Sequence, residues 1–230
     1  MIRFKDFLNE AQWMYHGSVE PNLKTIERNK INNELLDVSI GAHFAADPKI
    51  SKKFAKGLYG RKNSEGGSKG AVYKAKRPTR SELEVVPQKK GHYDDDSVAY
   101  HVLSTVFSHP DNKNLFVKWH RGIFNSTHEQ ASDIHEKLNN KQNIPVDKKE
   151  YGHDKSPNTF RSYIEHNMVP SGGNPDIHHE IVNKFMAHMK AKGKKGLVYR
   201  NTNPAETKEV DSPKSYIIFE PEKLKVEKHD

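Results

Sequence analysis

The segments of this chain that can form β-strands are short, and they lie towards its two ends. Near the N-terminus residues 12–16 read as a strand, and in "AVYKAKR" Val72, Lys74 and Lys76 alternate with Tyr73 and Ala75. Near the C-terminus come "GLVYRN", "SYIIFEP" and "LKVEK". Between them the pattern changes period. In "SVAYHVLSTVF" Val98, Val102 and Val106 recur every four residues with Ala99, Leu103 and Phe107 beside them, which predicts an amphipathic helix. From Ser108 to Pro175 the apolar pattern thins into polar segments with weak helical signals. The expectation is a mixed α+β domain with small sheets, interrupted over about 88–175 by a polar, partly helical, loosely packed insertion.

Two further helices carry clear punctuation. "DPKISKKFAKG" has Asp47 as N-cap, Pro48 at the first helical position and Gly57 at the stop. "DIHHEIVNKFMAHMKAKG" puts Ile181, Val182, Phe185, Met186 and Met189 on one face and ends at Gly193. "RKNSEGGSKG", residues 61–70, has loop composition.

Composition limits what such a frame can do. Only 33% of residues are hydrophobic against 30% charged, and mean hydropathy is -0.93, so the core must be thin. The net charge of +8 favours anionic partners, and because the lysines are spread along the chain it implies a general affinity for polyanions, DNA included. With no cysteine, disulfides and thiolate metal sites are excluded. No apolar run reaches membrane-spanning length, and the N-terminus lacks the apolar core of a secretory signal, so no membrane partner is expected. The 14 histidines do not suggest a metal, since His178 and His179 are adjacent and His188 follows nine residues after His179. "YDDD" at 93–96 reads as a helix-starting acidic cap rather than a cation site.

"WMYHGS", Trp13 to Ser18, places His-Gly-Ser directly after an aromatic run expected to be buried. Either the strand ends there in a turn, or the strand is a platform presenting His16, Gly17 and Ser18 to a ligand.

Four segments bear on that choice: "YHGS", "GAHFAADPKISKKFA", "KGLVYRNTNPAE" and "SYIIFEPEKLKV". In this order the chain resembles the His-Tyr-Glu branch of the ADP-ribosyltransferase superfamily, which includes the poly(ADP-ribose) polymerases and diphtheria-toxin-like enzymes, with nearest similarity to transferase domains of phage polyvalent proteins. The resemblance covers about 12–76 and 180–227 and skips the insertion. It implies a split β-sandwich of two small sheets with flanking helices, and NAD as substrate without a metal. It further implies that His16 bonds the ribose, that Gly17 grips the nicotinamide carboxamide through its backbone, and that Ser18 adds an amide contact. Phe44 and Phe54 fall where the family clamps nicotinamide between two aromatics, and a one-residue shift would put His43 in the first place. The family's glutamate precedes the late strand, where this chain has Ser215. Polyvalent-protein relatives carry an acid after a Y-x-N element instead. That pattern points to Asn201 as a cofactor contact and Glu206 as the catalytic acid, with Glu209 and Asp211 in the same loop as competitors.

"MIRFKDFLNEAQ" has Ile2, Phe4, Phe7 and Leu8 roughly on one helical face. It resembles the capsid-targeting peptide of internal head proteins in large tailed phages, which implies a propeptide over 1–10 cut between Glu10 and Ala11, ahead of a single transferase domain over 11–230. Taken together, the expectation is a phage-encoded mono-ADP-ribosyltransferase, carried in the capsid interior and injected into the host cytoplasm. There it modifies a host protein or nucleic acid acceptor. The alternative is a basic internal head protein that binds DNA and keeps the fold without catalysis.

Overall fold

The computed structural model describes residues 12–28, 36–56, 70–88, 94–145, 156–167, 172–201 and 213–229. They fall into two compact units. One holds residues 1–29, 40–94 and 192–230, the other residues 30–39 and 95–191. The propeptide proposed for residues 1–10 lies outside the described residues.

Among the described residues the first unit has seven strands: β1 Trp13–Ser18, β2 Ala42–Ala45, β3 Ala71–Lys76, β4 Leu83–Val85, β5 Gly196–Arg200, β6 Lys214–Ile218 and β7 Val226–His229. They form one mixed sheet in the order β4-β5-β6-β2-β1-β3-β7, antiparallel throughout except for the β4–β5 pair. Where two small sheets were expected, hydrogen-bonded pairing runs through all seven strands. The joint in the middle is narrow. β1 pairs with β3 along its whole length, from Trp13↔Lys76 to Ser18↔Ala71, but meets β2 only at Tyr15↔Ala45.

One sheet face carries the core, where Met14, Phe44, Tyr73, Ala75, Tyr216 and Ile218 pack with Ile26. The loop bearing Ile26 is held there by Tyr73. Its hydroxyl accepts from Leu23 N–H at 2.8 Å and donates to the Glu20 carbonyl at 3.1 Å. The opposite face of β1 receives a helix over Pro48–Ala55. Asp47 caps it as expected, accepting from Lys49 N–H at 2.7 Å, with Pro48 in the first turn.

In chain order the helices are α1 Leu36–Ile40, α2 Pro48–Ala55, α3 Asp94–Phe107, α4 Lys113–Phe124, α5 His128–Asn139, α6 Phe160–His166 and α7 Pro175–Ala191. The second unit is made of these helices, α2 apart. α3 and α7 confirm the two periodic segments, and Gly193 follows α7 with a φ of +68°. α7 belongs with the helical unit, so the unit runs past the boundary at 175.

Nor is this region loosely packed. Phe107, Phe116, Trp119 and Ile164 are completely buried, and the rings of Phe107, Phe116 and Trp119 lie 4.9–5.7 Å apart. Its sequence reads as polar because histidines occupy core positions. His120 and His135 are buried among aromatic rings, and α5 otherwise buries only Ala131 and Leu138. His120 bonds Ser126 Oγ through Nδ1 and the Tyr163 hydroxyl through Nε2, both at 2.7 Å.

Burial pushes the His120 imidazole down to about 4 from its ordinary 6.5, and burial lowers His135 and His178 as well. A group whose pKa is depressed in the folded state contributes stability that is complete above the unfolded value and is lost as pH falls towards the folded one. The helical unit is therefore expected to lose about 2 kcal/mol between pH 7 and pH 5 from His120 alone, a window above the carboxylate range. Urea unfolding followed by helical circular dichroism at the two pH values checks this. Equal midpoints would refute it.

Candidate active site

β1 does not stop at residue 16. It continues through Ser18, so His16-Gly17-Ser18 is strand rather than turn. The direction of its backbone groups follows from one bond. Arg77 N–H donates to the Gln12 carbonyl across the β1–β3 ladder, so Gln12, Met14, His16 and Ser18 turn their backbone groups towards β3. Tyr15 and Gly17 turn theirs to the other edge, towards β2. Tyr15 finds Ala45 there, and pairing then ends. Among the described residues the β1–β2 register does not extend to Gly17. Its N–H and C=O face the gap where β1 and β2 separate.

The gap has a specific filler. By the same alternation, fixed by the Ala46 N–H bond to the Lys214 carbonyl, the His43 carbonyl points towards β1. A continued ladder would pair it with Gly17 N–H. It accepts a 2.8 Å bond from His16 Nδ1. A carbonyl cannot donate, so Nδ1 carries the proton and Nε2 of the neutral ring keeps its lone pair. Desolvation lowers the His16 pKa below the ordinary range, the largest effect on this ring, and so favours the neutral form. His16 also lines a cavity of about 440 Å³ whose other walls come from Asn22–Glu27, the loop pinned by Tyr73.

Gly17 has a second role that sequence reasoning missed. A Cβ on it would lie 1.9 Å from the Ser51 carbonyl oxygen and 3.0 Å from Ala55 N, so α2 packs backbone to backbone on β1. Ser51, almost fully buried, adds a 2.8 Å bond from its hydroxyl to the Tyr15 carbonyl. Gly17→Ala is therefore expected to cost roughly 3 kcal/mol, because α2 must shift to admit the methyl group. Unchanged thermal stability would contradict this packing.

The other predicted residues are placed as follows. Ser18 Oγ accepts from Glu20 N–H at 3.0 Å and starts the loop towards the cavity. Phe44 is a core residue, 2% exposed, with its ring 5.5 Å from that of His16. Its ring packs beside the imidazole, and its assignment as a clamp remains a proposal. His43, the alternative, is half-buried and bonds the Tyr199 hydroxyl through Nδ1 at 3.1 Å. Phe54 is half-buried on α2, one turn beyond Ser51. Asn201 is buried and donates from Nδ2 to Ser215 Oγ at 3.2 Å.

Ser215 lies on a revealing row. The register runs Ser215↔Ala45↔Tyr15, which puts the position where the resemblance expects a glutamate two strands from β1, about 10 Å away at ordinary strand spacing. Glu206, Glu209 and Asp211 lie outside the described residues. Among the described residues no group of three or more acids and histidines could hold a metal ion.

Tyr73 and Ser51 were the positioning residues not foreseen. The alternation of "AVYKAKR" put Tyr73 on a strand face with Ala75, but nothing local showed that its hydroxyl would hold a loop 50 residues earlier in the chain. No family model, no curated protein and no solved structure matches this chain.

Proposed function

We propose that the sheet-bearing unit binds NAD and transfers its ADP-ribose to a macromolecular acceptor. The observation that carries this reading is the opening between β1 and β2, with the Gly17 N–H and C=O on one side and the His16 ring, held by the His43 carbonyl, in it. A carboxamide presents one donor and one acceptor, matching the two backbone groups of Gly17. The lone pair on His16 Nε2 suits a ribose hydroxyl. On this reading the sheet is a split β-sandwich whose halves, β4-β5-β6-β2 and β1-β3-β7, meet at the Tyr15–Ala45 pair.

In the reaction the bond between nicotinamide nitrogen and ribose C1′ breaks and nicotinamide leaves with the electron pair. An acceptor nucleophile then forms the new bond at C1′ and gives up its proton. Positive charge develops on the ribose, and Glu206 is the group assigned to stabilise it. Gly17 and His16 fix the two ends of the breaking bond, so that binding energy is used for orientation. The phage origin, the packaging in the capsid and the injection into the host complete this proposal.

The binding-only alternative draws on one observation. Where the family has its glutamate this chain has Ser215, bonded to Asn201. Incubation of the purified protein with labelled NAD and host lysate separates the two. Label transferred to a protein or nucleic acid supports the transferase. Absence of both labelling and NAD affinity supports the alternative.

A further inference from the structure

The aromatic residues that precede His16 are not core. Trp13 is 37% exposed, one of two large hydrophobic side chains exposed among the described residues, and Tyr15 is half-buried. By strand alternation Trp13 and Tyr15 share one face of the sheet, opposite the Met14 and Phe44 core. Their direct partners Lys76 and Lys74 share that face, as do Glu227 and His229 on the edge strand β7. The side chains confirm the arrangement. Lys74 Nζ lies 5.2 Å from the centre of the Trp13 ring, and the Tyr15 and His229 rings are 4.9 Å apart. The lysines outweigh the acid. Glu227 lies 3.7 Å from Lys74 and 3.8 Å from Lys225, which leaves Lys76 and a net positive charge over the three strands. On the same face α2 adds the exposed Lys52 and, at its C-cap, the exposed Lys56.

We propose that this face, with Trp13 and Tyr15 set among Lys74 and Lys76, binds single-stranded nucleic acid. Flat rings on a pleated surface accept unpaired bases whatever their sequence, while ammonium groups at strand spacing meet the phosphates. A duplex offers only its backbone to such a face, because its bases already stack on one another. An acidic peptide would satisfy the lysines and leave Trp13 without a stacking partner. The site is separate from the NAD reading in its chemistry, since no group of the proposed catalytic set takes part in it. It also gives the aromatic run before His-Gly-Ser a use that burial does not supply.

The two tryptophans make the test selective. Trp119 is completely buried, so a change in tryptophan emission on adding an oligonucleotide reports Trp13. Titration with a 12-mer of deoxythymidylate and a 12-mer of uridylate at low salt is expected to quench that emission. Trp13→Ala should weaken binding, measured by anisotropy of a labelled oligonucleotide, by roughly tenfold. Lys74→Gln with Lys76→Gln should flatten the dependence of affinity on salt by about 0.7 in slope for each phosphate that is no longer neutralised. The arm that binds more tightly names the natural strand, DNA or RNA. If Trp13→Ala binds as the parent does, or if heparin competes as well as the oligonucleotide at equal charge, the face is a general polyanion surface and the proposal is overturned. NAD labelling plays no part in these readouts, so a failure here and a failure of the transferase reading are distinguishable.

Discussion

His16→Ala is expected to abolish transfer of label from NAD while the protein stays folded. Among the described residues the ring donates a hydrogen bond to the His43 carbonyl, at a place where β1 and β2 have already separated. Losing it costs about 1 kcal/mol, the ordinary net value of such a bond. Its proposed chemical role is larger, since Nε2 is the acceptor for ribose, and alanine removes both that acceptor and the orientation of the breaking bond. The pH dependence carries a sign. Protonation would turn Nε2 from acceptor to donor, so activity should fall on the acid side only. Because desolvation lowers the pKa of His16, that fall should lie below pH 6.5 rather than above it. The same shift makes the ring's contribution to stability complete above 6.5 and lost as pH falls. A folded His16→Ala protein that still labels acceptors would remove His16 from the site.

Legibility differed sharply between the two units. In the sheet-bearing unit the alternation of "AVYKAKR" and the Asp47-Pro48 start of α2 placed elements to within a residue or two, because strand period and capping are local properties. What local pattern could not supply was the join between distant strands. That β1 meets β2 at one pair and then parts from it depends on where His16 places its ring, a contact across 27 residues. Phe44 shows the same limit. Its place in the chain fits a clamp by spacing, but its packing within β2 is set by pairing with the distant Tyr216 and by the core beneath. The helical unit was underestimated for a different reason. Buried His120 and His135 count as polar in any hydropathy reading, although paired or ring-packed imidazoles fill a core as aromatics do. The capping boxes at Thr127-Gln130 and Thr159-Ser162 were the signals that could have restored α5 and α6.

The second large effect is expected at the acid. If Glu206 supplies what the family's glutamate does, Glu206→Gln retains the side chain's size and one acceptor oxygen but removes the charge that opposes the developing positive ribose. Ground-state binding of NAD rests on Gly17 and His16 in this proposal, so affinity should survive. Turnover should drop by roughly a hundredfold or more, the usual effect of removing an electrostatic interaction made mainly in the transition state. Glu209→Gln and Asp211→Asn are the matched controls, each losing one charge from the same stretch of chain. A drop confined to one of the three names the acid. The position also predicts an asymmetry with Ser215. It is bonded to Asn201 two strands from β1, so Ser215→Ala should leave turnover nearly unchanged, whereas Ser215→Glu would place a carboxylate on the row that leads to Tyr15. If Glu206→Gln has lost turnover and Ser215→Glu in that background regains part of it, the charge rather than its address in the sequence is what the reaction requires. Full turnover in Glu206→Gln together with full turnover in both controls would leave the reaction without a carboxylate from this loop and would overturn the assignment.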